Sequence, residues 1–285
     1  VNMAELVFDI GLHNGDDAAY YLSLGYRVLG VEADPLLAAK CTARFQDEIQ
    51  QGRMTVVNAG VLKDQGEFTF YRNLTDDGWS SFVPEKAKTG GKWEELRIPC
   101  VTTQQLIQQH GSPFFVKIDI RGADFQALES ITPAAAPRYI SLGMNCADPF
   151  LERLIDLGYD SFKFADGETY RTAPPIFDHQ VGWRFVRKIG RAVPLIRQAI
   201  RKLPQPLRPY AEYDPPGKHN PAGYPFTKYS SGPFGEQAAG AWLDRSAARR
   251  WLDRLKSNHR RAGQEHLFWW DVHARHAAGK HKSLI

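Results

Sequence analysis

Short apolar runs alternate along the chain with segments whose apolar residues recur every three or four positions. That is the pattern of buried parallel strands joined by amphipathic helices. Leu6 to Ile10 is the first run and ends in Gly11; Asp16 to Leu24 then reads as a helix closed by Gly25. Arg27 to Glu32 predicts a second strand, Pro35 to Phe45 a helix that proline can open, and Met54 to Ala59 a third strand. Right-handed crossovers of this kind build an open sheet with helices on both faces. Glu67 to Tyr71 and Arg97 to Val101 predict added strands around a Gly/Lys-rich connection from Lys86 to Lys92. Thr102 or Thr103 is placed to cap a helix through Gln109, and Phe114 to Ile120 is a strand interrupted by Lys117 and Asp119, which alternation puts on one side. Helix, strand, helix and strand follow over Ala123 to Ile131, Arg138 to Leu142, Pro149 to Leu157 and Ser161 to Ala165.

The alternation stops near residue 170. Eight prolines between Pro204 and Pro233 exclude regular structure there, and helical pattern resumes over Gly235 to Leu243 and Ser246 to Lys256 before an aromatic last strand, Leu267 to His273. We therefore expect a single α/β domain with a Rossmann-like, seven-stranded, mostly parallel sheet. Its core covers about 1–172 and 236–285, and a basic helical and Pro-rich cap is inserted over about 173–235. Hydrophobic residues at 43% and charged residues at 24% suffice for a packed core and exclude a disordered or collagen-like chain.

The 36 Lys and Arg outnumber the 32 Asp and Glu by four, yet Trp183 to Pro209 alone holds eight cations and no acid. The remainder is therefore net acidic, which argues against a global nucleic-acid binder. In that basic segment Phe185, Ile189, Val193, Ile196, Ile200 and Leu203 recur at helical spacing on either side of Pro194. A lid packed on the sheet, contact with an anionic membrane surface or a lipid-linked sugar, and dimerisation or nucleic-acid contact are the readings open to it. Cys41, Cys100 and Cys146 form no CxxC pair, no apolar stretch is long enough for a membrane helix, and the chain enters its first strand without a leader; the expected location is cytoplasmic, with peripheral contact at the inner membrane surface as an option.

In an open α/β sheet, ligands bind beyond the carboxyl ends of the strands. Here those ends carry Asp9 with Gly11, His13 and Gly15, then Glu32 with Ala33, then Asn58, then Asp119. The glycines let the chain turn sharply before a helix, and Glu32 can accept hydrogen bonds from ribose hydroxyls, so a nucleoside-bearing cofactor is expected. Two cofactors compete. A dinucleotide wants GxGxxG facing its pyrophosphate, whereas here an acid at the strand end precedes glycines at a different spacing. A carboxylate repels pyrophosphate and suits the ammonium and sulfonium groups of S-adenosyl-L-methionine.

Asp9 to Gly15 with Glu32-Ala-Asp-Pro35, and Lys117-Ile-Asp119-Ile-Arg121-Gly122-Ala-Asp124, resemble the two signatures of the FkbM-like family of class I methyltransferases, in that order. The likeness runs from about Leu6 to Phe164. It implies methyl transfer from S-adenosyl-L-methionine to oxygen, often on a sugar, a glycan or another small hydroxylated metabolite. Three departures stand out: His13 replaces the usual Asn, Arg121 replaces a Glu, and Leu142-Gly143-Met144-Asn145 lacks the usual carboxylate. Losing two acids and gaining a guanidinium argues against a magnesium site, so no metal is expected.

Asp119 is the leading candidate for the base or orienter of the acceptor hydroxyl, with His13 as an auxiliary base. Asp9, Gly11, His13, Gly15, Glu32, Ala33, Asn58 and Asp119 are the candidate cofactor residues, Asn58 being suited to the adenine edge. Trp79, Ser80 and Ser81 offer an aromatic face and hydroxyls to a sugar, and Arg121 either grips an anionic group of the acceptor or pairs with Asp124. The segment Ser230 to Gly235 is placed to close over the acceptor. Asp271, His273 and His276 read as packing around Trp269 and Trp270. The reading from another class is a non-catalytic adenosylmethionine or nucleoside-binding module that meets a partner or membrane through its basic segment.

Overall fold

A computed structural model describes residues 4–88, 91–144, 148–167, 170, 223–227, 230–238, 240–261 and 270–276. The basic segment 183–209 and most of the expected cap lie outside these residues, as does Cys146.

The strands of the main sheet are β1 (Leu6–Ile10), β2 (Arg27–Glu32), β3 (Met54–Asn58), β7 (Phe115–Ile118), β8 (Tyr139–Met144), β9 (Ser161–Asp166), β10 (Leu243–Asp244) and β11 (Trp270–Arg275). They lie in the order β10-β9-β11-β8-β7-β1-β2-β3. From β3 to β8 the pairing is parallel, while β11 inserts antiparallel between β8 and β9. The seven expected strands are all present; β10, only two residues long, is an eighth at the edge.

The added strands stand apart. Here β4 (Gly60–Val61), β5 (Gly66–Asn73) and β6 (Trp93–Val101) make a small separate sheet in which β5 and β6 pair antiparallel. Between them lies the short helix α4 (Pro84–Ala87).

Alternation along the strands decides the two layers. Phe8, Ile10, Leu29, Val31, Val116, Ile118, Ile140 and Leu142 point to one face. They pack there with α5 (Thr103–His110), α6 (Asp124–Glu129), α7 (Asp148–Asp156) and α8 (Arg245–Arg261). Val7, Val28 and Phe115 point to the other face, against α1 (Asp16–Ser23) and the residues around α2 (Pro35–Arg44). The five-residue helix α3 (Gln46–Gln50) follows α2 directly.

Local signals act as their chemistry requires. Thr102 closes a capping box with Gln105, and Asp34 caps α2 through the Leu36 N–H while Pro35 occupies the first turn. The expected helix from Gly235 to Leu243 is corrected to a three-residue 3-10 turn, Gly235–Gln237, followed by β10. Gly235 and Gly240 have left-handed backbones, and the carbonyls of Gly235 and Ala238 accept from the buried Lys163 ammonium at 3.2 and 2.7 Å. Those carbonyls would otherwise close helical turns.

After β1 the chain moves outward through β2 to β3 and then returns to β7 on the other side of β1. The switch in strand order therefore lies between β1 and β7, and the crevice beyond their carboxyl ends is where a ligand is expected.

Candidate functional site

At the end of β1 the N–H groups of Gly11 and Leu12 both donate to the Val31 carbonyl, at 2.9 and 3.0 Å, which folds the chain back across β2. Gly11 has φ +89°, and a Cβ there would stand 2.0 Å from the Asp119 carbonyl oxygen. Glycine is thus required because the loop runs against the end of β7. Gly15, at φ +82°, caps α1, and a Cβ would meet the Phe45 ring at 2.5 Å. In both cases a side chain would meet the protein itself, so the turn after β1 is held close against β7 and α2.

Glu32 is buried, and its two oxygens accept the backbone N–H groups of His13 and Asp34, each at 2.8 Å. Burial raises its pKa. The Asn58 side-chain amide donates to the carbonyls of Glu32 at 2.8 Å and Ala33 at 3.1 Å. These contacts hold the tips of β1, β2 and β3 in one frame. Beneath them Asp34 takes a bidentate pair from Arg72, both bonds at 2.7 Å.

Asp9 lies deeper than an exposed cofactor ligand would. It is 0% exposed, and its Oδ1 accepts from the Lys117 ammonium at 3.0 Å. Lys117 also donates to the Gly11 carbonyl at 3.0 Å and stands 3.3 Å from Asp17 Oδ2. Its proton is held well beyond the usual lysine range, because the carboxylates of Asp9, Asp17 and Asp119 outweigh its burial. Burial lifts Asp9 to about 6 against the pull of Lys117. Three carboxylates therefore surround one ammonium, an excess of two negative charges at the carboxyl ends of β1 and β7 when all are ionised.

Asp119 follows β7 directly and is half-buried, with Oδ2 3.5 Å from the Ser231 hydroxyl. Ser231 arrives on a strap, whose described residues 223–227 and 230–238 cross the α1 face. Its N–H donates to both oxygens of Asp17, at 3.0 and 2.9 Å, and Thr227 donates to Asp16 at 2.6 Å. Tyr224 and Phe226 pack on Tyr20, and Phe234 stacks on Phe115 with centroids 3.9 Å apart. The sequence placed Ser230 to Gly235 near the acceptor; the Lys117 and Asp17 contacts were missed. Their signal was there, because Asp9 and Lys117 are opposite charges inside two neighbouring apolar runs.

His13 has a left-handed backbone, and its Nε2 lies 2.9 Å from Asp77 Oδ1, tying the loop after β1 to the loop after β5. In that second loop the Ser81 hydroxyl is buried and donates to the Arg121 carbonyl at 2.7 Å, while the Ser80 hydroxyl accepts from the Asn73 N–H at 3.1 Å. Both hydroxyls hold the loop, and Ser81 has no surface to offer a sugar. Trp79 is half-buried with the Arg121 guanidinium 5.4 Å over its ring.

The alternative pairing of Arg121 with Asp124 is corrected. The Asp124 carboxylate accepts the backbone N–H groups of Ile120 and Gly122, at 3.0 and 2.8 Å, and so shapes the turn after β7. Burial lowers the pKa of Arg121. Among the described residues, the non-glycine residues with left-handed backbones are His13, Arg121 and Tyr170. The Tyr170 phenol feels the charges of Asp17, Asp271 and Asp119 and donates to the Ser230 carbonyl. Local strain gathers around one crevice, as it commonly does at functional sites.

Residues 9–147 match the model of the methyltransferase FkbM domain. Over these residues the chain is similar to the methyltransferase FkbM domain. The likeness is to S-adenosylmethionine-dependent methyltransferases. No curated protein matches the sequence. Among solved structures, an S-adenosylmethionine-dependent methyltransferase from Geobacter sulfurreducens in complex with S-adenosyl-L-homocysteine is 11% identical, with 96% of this chain and 85% of that chain covered and a TM-score of 0.37. A precorrin-6y C5,15-methyltransferase from Geobacter metallireducens is 14% identical, covering 61% of this chain and 74% of that one, TM-score 0.32. The [4+2]-cyclase SpnF is 10% identical over 97% of this chain and 76% of that one, TM-score 0.36. The matched residues include Asp9, Glu32, Asn58, Asp119 and Arg121, and leave out Tyr170 and the strap.

Among the described residues, no group of three or more His, Cys, Asp or Glu side chains is placed to hold a metal ion, and no helix is long and apolar enough to cross a membrane.

Proposed function

We propose that the protein methylates a hydroxyl oxygen of a sugar, a glycan or another small hydroxylated metabolite. The observation that carries this reading is the clustering of Asp9, Asp17 and Asp119 around a single Lys117. The excess negative charge suits a cationic cofactor and repels a pyrophosphate. Asp16 and Asp17 also occupy the first turn of α1, where a dinucleotide would place its phosphates. Both features fit S-adenosylmethionine.

We assign its binding to Gly11, His13, Gly15, Glu32, Ala33, Asn58 and Asp119. Asp9, being wholly buried, acts on it through its field alone. When bound, the cofactor supplies a methyl group on a positively charged sulfur, and the bond to sulfur breaks as the bond to the acceptor oxygen forms. Asp119 is the base, taking the hydroxyl proton as that oxygen attacks, and the half-buried position of its carboxylate beside the Ser231 hydroxyl supports the assignment. His13, bonded to Asp77, aligns the two loops that border the crevice. Contact with an anionic membrane surface or lipid-linked sugar is supported by the composition of segment 183–209 alone.

Calorimetry with S-adenosylmethionine against NAD, followed by transfer of labelled methyl to a panel of sugars, lipid-linked glycans and other hydroxylated metabolites, tests the reading. Asp119→Asn should retain the cofactor and lose turnover. Unchanged turnover removes Asp119 from the mechanism, and preference for NAD removes the methyl chemistry.

A further inference from the structure

The crevice lies at the carboxyl ends of the strands, and the amino end of the sheet carries a second concavity. A notch of about 30 Å³ opens there between the starts of β1, β2 and β3 and the end of α5. A cavity needs roughly 10–15 Å³ to hold one water, so there is room for one small ion whose outer side faces solvent. Alternation decides what lines it. Val28 and Met54 pack on the α1 face, which turns Arg27 and Arg53 to the α5 face. Val28 pairs with Met54 in register, and its N–H donates to the Arg53 carbonyl at 2.8 Å, so Arg27 and Arg53 stand side by side on neighbouring strands. Thr55 follows on the same face of β3, and His110 reaches the notch as the last residue of α5. Gly52, at φ +69°, has nothing within 4 Å of the position of a Cβ, which leaves the mouth open.

Like charges on one face of adjoining strands repel. Arg53 finds partial relief, because its Nε donates to the Gln51 side chain at 2.9 Å and a terminal nitrogen stands 3.5 Å from Glu48 Oε1. A guanidinium has five N–H donors, and Arg53 uses two of them there. Among the described residues, the Arg27 guanidinium and the His110 ring enter no hydrogen bond or ion pair. The Glu5 carboxylate, near in sequence, acts instead on Tyr26, which packs on the α1 face. The notch thus gathers two arginines and a histidine against one carboxylate, with most of their donors unspent.

We infer that this notch is an oxyanion site, independent of the methyl-transfer reading, and that it takes one phosphate group. The group arrives as inorganic phosphate or as the phosphomonoester of a small metabolite whose remainder stays outside the mouth. Guanidiniums match phosphate oxygens bidentately, and the Thr55 hydroxyl and an imidazole N–H, present in either tautomer, add donors. Donors that converge from β2, β3 and α5 suit a tetrahedral anion better than a planar carboxylate. The bound phosphate separates two cations that otherwise repel, and so ties β2 and β3 to the end of α5. Arg27 and Glu32 stand at opposite ends of β2, about 16 Å apart at about 3.3 Å per residue, so this anion does not meet a ligand in the crevice.

The test is a residue-resolved NMR titration of the full chain with inorganic phosphate, glycerol 3-phosphate and, as the planar control, acetate, at an ionic strength held constant with sodium chloride. Phosphate should shift the amides of Arg27, Arg53, Thr55 and His110 saturably and bind about tenfold tighter than acetate. Its affinity should fall about tenfold in Arg27→Gln and in Arg53→Gln, and by less in Arg27→Lys, which keeps the charge and loses the fork. Arg97→Gln removes a cation from the exposed small sheet and should leave the affinity unchanged. Thermal unfolding confirms that each variant is folded. Equal affinity for the two phosphates supports a site for the free ion, and tighter binding of the ester supports a metabolite. Shifts confined to residues 183–209, phosphate binding no tighter than acetate, unchanged affinity in both glutamine variants at the notch, or an equal loss in Arg97→Gln overturns the inference.

Discussion

Lys117 and Asp9 face each other in register on neighbouring parallel strands, and their side chains meet 3.0 Å apart in the interior. The pair is more than an isolated ion bridge. Lys117 also holds the Gly11 carbonyl and approaches Asp17, and Asp17 in turn receives the N–H of Ser231. One ammonium thus links the turn after β1, the first turn of α1 and, through Asp17, the strap.

Removing that ammonium leaves Asp9 and Asp17 buried with no cation beside them. Lys117→Met should therefore cost roughly 3–5 kcal/mol in denaturant unfolding. The double variant Asp9→Asn, Lys117→Met removes one of the stranded charges and should recover part of the loss. A double variant no more stable than the single one would show that the charge on Asp9 is not what makes Lys117 necessary.

Asp9 also sets a pH dependence. Its folded pKa is raised by burial to about 6, above the ordinary value of 3.8. The folded state therefore binds more protons between these values than the unfolded state does, and this contribution to stability is complete below about pH 4 and lost as pH rises through about 6. Asp9→Asn cannot titrate. Relative to the wild type it should gain on the order of 2 kcal/mol between pH 4 and 7. Thermal unfolding of the two proteins across that range checks the sign, and a difference that stays flat would remove Asp9 as the titrating group.

Much of this arrangement is legible from the residues themselves. The apolar runs located the seven main strands, because a strand buried on both faces needs a continuous apolar stretch. Asp9, Glu32, Asn58 and Asp119 were found as polar residues at the ends of such runs. What the residues did not reveal is the depth of each side chain. Asp9 reads as a ligand and lies behind Lys117, while Ser80 and Ser81 read as sugar contacts and hold their own loop. Depth depends on the neighbouring strand, and strand order is a tertiary fact. Asp271 shows the same limit. The sequence near Gly143 lacks an acid, yet the antiparallel entry of β11 sets Asp271 directly beside it. The helix expected after Gly235 failed for a related reason, since Lys163, distant in sequence, takes the carbonyls that a helix would need.

Gly11 offers a sharper test of the crevice. At φ +89° an L side chain is strained, and its Cβ would lie 2.0 Å from a backbone oxygen, which cannot swing aside as a side chain can. Gly11→Ala must push apart the turn after β1 and the end of β7, with a cost of roughly 2–4 kcal/mol. Because Asp119 belongs to the displaced backbone, cofactor affinity should fall as well, by at least about tenfold in calorimetry. Gly25→Ala is the control, since its φ is also positive, at +87°, but nothing stands within 4 Å of its Cβ. That variant should bear the strain without the loss of affinity. Equal affinity losses in the two would mean that backbone strain alone, and not the approach to Asp119, governs the site.

The strap makes the last prediction, because its attachment is divided between polar and apolar contacts. Phe234 is 5% exposed, stacks on Phe115 at 3.9 Å and meets Tyr21 edge-on at 5.5 Å. Phe234→Ala removes this ring from a packed aromatic cluster and should cost about 3 kcal/mol or somewhat more. The polar anchors do not depend on that ring: Ser231 on Asp17, and Lys163 on Gly235 and Ala238, remain in reach. The loss should therefore appear first as local opening of the strap, with α1 and the sheet still folded. Amide hydrogen exchange discriminates the two cases. In the variant the Ser231 N–H should exchange much faster than in the wild type, while the N–H groups of β1 and β7 keep their protection. Because Ser231 also touches Asp119, turnover should fall more than cofactor affinity. Faster exchange throughout β1 and β7 would instead show that the strap and the sheet unfold as one unit.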